Sequence, residues 1–251
     1  MAKQIGIFKV SGTLDNTTFA ATKNGNIAKV KTTLNGQRIK TDPAFKMTQE
    51  NFTEFGRAAK AGKTLRNPIA PLLKPAKDSL MTSRMLKSLL AVIKSDTTNP
   101  RGQRTLQAGN VQLLKGFEFN SGAELSSILL APYTTSIQRA AGTLTLNIPS
   151  FIPANMIKAP VGATHFKIVS AGIEADFMNE VGSSDMNSSA VLPLDQNATA
   201  ALNLVNTVTA NSTYTEVLVA GIQFFQHVNG VDYQIEDKAF NALSIVDILG
   251  A

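Results

Sequence analysis

The chain changes character near Gly116, and this change constrains the fold more than any other feature. Residues 1–116 hold 20 basic and 6 acidic residues, a net charge of +14. From about residue 41 the apolar positions of this segment recur with a helical period. Residues 117–251 hold 4 basic and 12 acidic residues, a net charge of −8, and alternate as β-strands do. The two patterns predict an α+β protein whose unlike parts attract each other, within one chain or between copies.

The composition favours a globular fold and leaves little material for a reactive centre. Hydrophobic residues make up 43% of the 251 positions and charged residues 17%, which is typical of a packed core. The absence of cysteine excludes disulfides and thiolate ligands, and only two histidines are present. We therefore expect no cofactor, no metal and no enzymatic activity.

The first 40 residues predict a basic β-hairpin arm. Residues 19–22 and 27–30 are short strand candidates around Lys23-Asn-Gly-Asn26, and Asn35-Gly36 supplies a second turn. A hairpin this short is marginal on its own in water, so we expect it to lie on other structure, such as a neighbouring subunit.

Two or three helices follow. Asp42-Pro43 is a helix start, because Asp accepts N–H groups at an N-cap and Pro suits the first helical position. This helix is predicted to end near Arg66, with a second over about 71–94 and a short third over 103–115. In the first helix one side is predicted to be apolar and to pack closely: Phe45, Phe52, Phe55, Ala59 and Gly62.

Beyond Gly116 the pattern predicts an all-β, sandwich-like domain. The strand candidates are residues 117–120, 125–131, 143–148, 164–170, 173–178, 189–194, 202–209, 216–228, 231–235 and 243–248. Residues 182–189 are polar and are predicted to form a loop. The predicted organisation is therefore a basic β-hairpin arm over 1–40, a helical region over 41–116 and an acidic β-sandwich-like domain over 117–251.

Three patterns resemble catalytic or binding motifs and fall short of them. The string from Gly56 to Thr64 ends like a phosphate-binding loop, but it lacks the first glycine and lies within a predicted helix. His165 and His227 have no glycine-framed serine nearby, so we expect a strand-face and a turn-proximal histidine. Glu174 and Asp176 share a strand face, which we expect to be solvated.

The basic half offers the clearest binding surface. An acidic protein face is the favoured partner, and nucleic acid is the alternative, since lysines and arginines also neutralise phosphates. The candidate partner-binding residues are Lys23, Lys29, Lys31, Arg38, Lys40, Arg57 and Lys60.

Several strings resemble an uncharacterised family of hypothetical proteins from Bacteroidota. The helix string Glu54-Phe-Gly-Arg-Ala-Ala-Lys-Ala-Gly-Lys-Thr-Leu-Arg66 is the most specific, and the resemblance runs nearly end to end. The other matching stretches are residues 12–19, 42–45, 48–51, 101–104, 116–119, 159–166 and 229–231. The resemblance implies no activity, cofactor or catalytic residue.

These features predict a non-enzymatic structural or assembly protein that self-associates through basic-to-acidic contacts, as in a phage-like or filamentous particle. The alternatives are a nucleic-acid-binding module that uses the basic half and a carbohydrate- or partner-binding β-sandwich. The sequence shows neither a signal peptide nor a membrane span. We therefore expect a cytoplasmic protein, or one in a particle assembled in the cytoplasm.

Overall fold

The structure is a computed structural model that describes residues 2–22, 25–31 and 36–251. It confirms the α+β class, since the described residues form six α-helices and thirteen strands. The chain divides into two compact units, one ending at Gln49 and the other running from Glu50 to Ala251. Within the described ranges, none of the helices combines the length and hydropathy needed to cross a membrane.

The first unit contains a four-stranded antiparallel sheet. The predicted hairpin is confirmed as the pair of β3 and β4, with Thr22 opposite Gly25, while Lys23, Asn24 and Asn35 lie outside the described residues. The strand order is β1-β4-β3-β2. The elements are β1 (Ala2–Lys3), β2 (Gly12–Leu14), β3 (Thr17–Thr22), β4 (Gly25–Val30) and helix α1 (Gly36–Thr41).

The predicted helix start at Asp42 is confirmed. The Asp42 carboxylate accepts the Ala44 N–H at 2.9 Å, a 3₁₀ turn follows over Pro43–Phe45, and helix α2 then spans Lys46–Arg66. The Asp42 pKa is lowered by the Ala44 N–H and by the Arg38 side chain, so the cap stays ionised.

The second predicted helix is wrong as a single element. It is two helices, α3 (Ala70–Ala76) and α4 (Met81–Lys94). The chain breaks between them because Asp78 accepts the Leu80 N–H at 2.6 Å and also binds the side chain of Arg84. The predicted third helix is reduced to a 3₁₀ turn over Val111–Leu114.

The predicted packing face of α2 is also mostly wrong. Phe52 and Phe55 are 61% and 50% exposed, whereas Ala58, Ala61 and Leu65 are buried. Of the predicted close contacts only Gly62 is confirmed, because a Cβ there would lie 3.2 Å from Leu89 Cδ1, while Ala59 is exposed. Small residues face the core because α4 approaches this side of α2.

The second unit holds two antiparallel sheets. The large sheet has the order β12-β11-β7-β8, with β13 also paired to β11 and β9 to β7, and the small sheet has the order β10-β6-β5. The strands of the second unit are β5 (Thr134–Gln138), β6 (Thr143–Ile148), β7 (His165–Asp176), β8 (Val181–Ser188), β9 (Leu192–Pro193), β10 (Leu202–Thr207), β11 (Thr215–Val228), β12 (Val231–Ile235) and β13 (Leu243–Leu249). Two short helices, α5 (Leu125–Ile128) and α6 (Pro153–Met156), lie between them.

Most strand predictions hold, and five need correction. The predicted strand over 189–194 is reduced to the two residues of β9. Residues 125–131 begin as helix α5, and the two strands predicted over 164–170 and 173–178 are one strand, β7 (His165–Asp176). The predicted loop over 182–189 is mostly strand β8, and the predicted strand 117–120 contributes only an isolated bridge between Glu118 and Ser244. Strand β5 was not predicted.

Strands β7 and β11 are buried on both faces, so the second unit has three layers. On one face Ala171, Ile173 and Val219 join the core with residues of α2 and α4. On the other, Leu218 and Ile222 pack against the small sheet. Helices α2 and α4 and the large sheet thus share one core. The domain boundaries at residues 40 and 116 stay a prediction.

Candidate functional site

The N-terminal sheet has one apolar face and one basic face. Its register places Val30 opposite Thr17 and Thr17 opposite Leu14, so these side chains share a face. On the other face Lys29 lies opposite Thr18, and Lys3 lies opposite Ile27. The apolar face carries no charged residue among its described strand positions, which are Ala2, Gly12, Leu14, Thr17, Phe19, Ala21, Asn26, Ala28 and Val30.

The described residues of this sheet are exposed or half-buried. None of the described residues before Glu50 is buried. Leu14 and Val30 are 72% and 80% exposed, and Ile5, Ile7 and Phe8 between β1 and β2 are more than nine-tenths exposed. Large exposed apolar side chains that share one face of a sheet favour an interaction site there.

Four of the predicted partner-binding residues lie in the described part of the first unit. Lys29 lies on the basic face and Lys31 follows β4, and both are exposed. Arg38 and Lys40 lie in α1, where Arg38 pairs with Asp42 at 3.0 Å. Lys23 lies outside the described residues.

Arg57 and Lys60 lie in the second unit and have partners there. Arg57 Nη1 donates to the carbonyl oxygens of Gly102 and Arg104, at 2.9 and 2.8 Å. Lys60 Nζ donates to Glu180 Oε1 at 2.6 Å. Both side chains therefore make their contacts within the second unit.

Part of the opposite charge is paired within one chain. Lys60 with Glu180, and Lys115 with Asp247 at 2.8 Å, join the basic helical segment to the acidic β region. Burial would raise the pKa of Asp247, but hydrogen bonds from Lys115 and Thr135 outweigh this effect and lower the pKa below its usual value. The pair with Lys115 therefore stays ionised.

The string that ends like a phosphate-binding loop lies inside helix α2. Thr64 Oγ1 donates to the Lys60 carbonyl, and Gly62 faces Met85 and Leu89. Backbone N–H groups within a helix are already bonded and cannot cradle a phosphate.

The carboxylates of β7 are not the solvated pair that we predicted. Glu174 and Asp176 are 8% and 7% exposed, and Glu174 accepts hydrogen bonds from Thr209 and from Ser212. Glu216 lies directly opposite Glu174 and is fully buried. Neither Glu216 oxygen has a hydrogen-bond partner in the described part of the chain, and Arg139 Nε lies 3.8 Å away.

These carboxyl groups are part of the packing between the two sheets. Burial raises the pKa of Glu216, the Arg139 charge opposes this, and Glu174 adds to it. Glu174 and Asp176 also line a cleft of about 340 Å³ that Thr209 and Tyr214 complete. Because neighbouring hydroxyl and N–H groups hold Glu174 and Asp176, we assign these two carboxylates a structural role.

The two histidines lie side by side, which the sequence pattern did not predict. His165 pairs across strands with Phe225, two residues before His227, so both histidines lie on one face of the large sheet. Their ring centroids are 4.9 Å apart. The turn motif His227-Val-Asn-Gly-Val-Asp232 was a usable signal for the His227–Asp232 pair, but the place of His165 depends on a long-range register.

Comparison of the chain with protein-family models, with curated proteins and with solved structures found no match in any of the three. The resemblance to hypothetical proteins of Bacteroidota stays a prediction. What the chain does is therefore inferred from its own geometry.

Proposed function

We propose that this protein is a non-enzymatic structural protein that self-associates, with its N-terminal sheet docked on a neighbouring copy. The observation that carries the proposal is a four-stranded sheet that has an apolar face and no buried residue among those described. A sheet normally needs a covered hydrophobic face for stability.

Covering this face is energetically favourable. Burying one large aliphatic or aromatic side chain contributes about 1.5–3 kcal/mol relative to leaving it exposed. Leu14 and Val30 on the face remain available for that gain, and so do Ile5, Ile7 and Phe8 in the segment between β1 and β2. The interface would therefore be apolar, and Lys3 and Lys29 on the opposite face would add long-range attraction to an acidic partner without direct contact.

The chemistry of the sheet favours a protein partner over nucleic acid. Phosphates would satisfy Lys3 and Lys29, but they would leave the apolar face in water. A second copy offers both apolar and acidic surface. The partly or fully exposed acids of its second unit include Glu124, Asp185, Asp195, Glu236 and Asp237.

A contact between unlike surfaces of two copies is heterologous. Such contacts repeat from copy to copy, so they close into rings or continue as filaments. The charge complementarity would steer the encounter, and the buried apolar area would hold it. This role needs no catalytic group.

The test is the mass of the full chain by size-exclusion chromatography with light scattering, over a range of concentrations. We expect multimers in about 50 mM salt that weaken in about 500 mM salt, where the Debye length is shorter. Replacing Leu14 and Val30 together by Ser should yield a monomer. A monomer at every concentration and salt would contradict the proposal.

A matched control removes apolar surface elsewhere. Leu80 and Val161 are 64% and 103% exposed in the second unit, and replacing both by Ser deletes a comparable amount of exposed apolar surface. This control should leave the multimers intact. Equal loss of association in both double variants would show that general surface hydrophobicity, and not the N-terminal sheet, drives it.

A further inference from the structure

We propose that His165, His227 and Asp232 form a binding site for a first-row transition-metal ion such as Zn²⁺ or Ni²⁺. One donor atom from each of the three side chains lies within 4.8 Å of the other two. The site is independent of the N-terminal sheet, because all three residues lie on strands of the second unit.

The backbone brings these side chains together. Asn229 and Gly230 both have positive φ, 51° and 80°, as the tight two-residue hairpin turn requires. This turn sets the register of β11 and β12, so that His227 lies directly opposite Asp232. Strand β7 then supplies His165 from the other side of β11.

The donor set fits a transition metal better than calcium or magnesium. Imidazole nitrogen suits Zn²⁺, Cu²⁺ and Ni²⁺, whereas Ca²⁺ and Mg²⁺ prefer oxygen ligands alone. Ligands at about 2.0–2.2 Å from one zinc ion lie about 3–4 Å from each other, so the donors must close by about 1 Å. His227 and Asp232 are partly exposed, which leaves their side chains room to rotate.

Neighbouring groups already orient both rings. Asp232 Oδ1 lies 2.6 Å from His227 Nδ1, and Thr164 Oγ1 lies 3.0 Å from His165 Nδ1. Thr164 Oγ1 also accepts the backbone N–H of His227 at 2.8 Å. Thr164 is a partner of the kind that fixes ring orientation in metal sites, whereas Asp232 is itself a ligand and would exchange its contact with His227 Nδ1 for the ion. Three protein ligands leave a fourth position open.

One cation opposes binding. Lys167 lies two residues from His165 on the same face, where its ammonium group sits 5.7 Å from the centre of the Phe225 ring. A divalent ion would therefore meet a like charge roughly 6–7 Å along the strand. Lys167→Gln should tighten metal binding by about two- to tenfold, since that repulsion disappears.

The experiment titrates metal-free, tag-free full-length protein with ZnCl₂ or NiCl₂ in a calorimeter, and with CoCl₂ by absorption. We expect one ion per chain, a Co²⁺ visible spectrum with nitrogen ligation, and a higher melting temperature with Zn²⁺. His165→Ala and His227→Ala should each abolish binding, and Asp232→Asn should weaken it by about 10–100-fold.

The controls use the fact that the chain contains only two histidines. The double His→Ala variant has no imidazole, so any binding that it retains comes from other groups. Glu236→Gln removes a nearby exposed carboxylate and should leave affinity unchanged. Melting of each variant without metal checks its folding. Absence of one-to-one binding by all three ions, or affinity unchanged in folded His165→Ala, would overturn the proposal.

Discussion

Glu118 shows how one side chain can set the pH dependence of stability. It is partly buried beside β13, and its Oε2 is buried without a hydrogen-bond partner in the described part of the chain. Burial raises the pKa of Glu118 to about 7, although the Leu125 N–H and the Ser244 hydroxyl oppose this rise. The folded protein therefore favours the protonated carboxyl group.

We predict that Glu118→Gln flattens the stability profile between about pH 4.5 and 8. A raised folded pKa contributes stability below the unfolded value, and that contribution is lost as the pH rises through about 7. After allowance for solvent screening the change is about 1–2 kcal/mol. Urea unfolding at several pH values measures it, with exposed Glu236→Gln as the control. An unchanged slope in the Glu118 variant would contradict the assignment.

Two glycines of α2 make a matched pair for core packing. A Cβ at Gly62 would meet Leu89 Cδ1 at 3.2 Å and Met85 Sδ at 3.7 Å, whereas a Cβ at Gly56 would meet nothing within 4 Å. We predict that Gly62→Leu destabilises the protein by roughly 1–3 kcal/mol, through overpacking. Gly56→Ala should stabilise it by about 0.5–1 kcal/mol, through helix propensity. Thermal melting of both variants tests the pair, and equal shifts would show that the helix face is wrongly assigned.

At the scale of elements, local signals predicted most of the fold. The Asp42-Pro43 helix start, the first hairpin and strands β6 and β12 follow from turn and capping chemistry. The predictions failed where distant packing decides. Gly172 lies in the gap predicted between two strands, yet β7 continues through it. The residue is glycine because a Cβ there would lie 2.8 Å from Asn206 Cβ.

Strand β8 was missed because its polar residues resemble a loop. Its place depends on tertiary contacts, since Ser184 Oγ donates to the Pro68 carbonyl and Gly182 sits against α2. A Cβ at Gly182 would lie 2.5 Å from the Thr64 carbonyl oxygen. We predict that Gly182→Ala destabilises the protein by roughly 1–3 kcal/mol. Chemical denaturation measures this, and Val181→Ala, at an exposed position of the same strand, should cost less. Equal costs would contradict the close contact.

Parts of the candidate sites were also predictable. The lysines of the arm were clear from composition, whereas the separation of its apolar and basic faces required the register of four strands. The histidine pair could not be predicted from the sequence, since His165 and His227 are 62 positions apart and no local signal sets the register of their strands.

At the scale of the whole molecule, the core belongs to the second unit. Every buried residue among those described lies after Glu50. We predict that deletion of residues 1–41 leaves the melting temperature of the second unit nearly unchanged and abolishes self-association. Calorimetry and light scattering on the same samples measure both. Multimers that persist without the sheet would contradict the proposed interface, and an unfolded product would contradict the independence of the core.

The three-layer arrangement has a consequence for hydrogen exchange. The paired backbone amides of β7 and β11 lie between the two cores. If one outer layer opens locally, the other layer still covers them. They should exchange only through global unfolding and mark the most slowly exchanging part of the protein. The histidines lie at the ends of these two strands, so the proposed metal site is anchored to the part of the molecule that opens last.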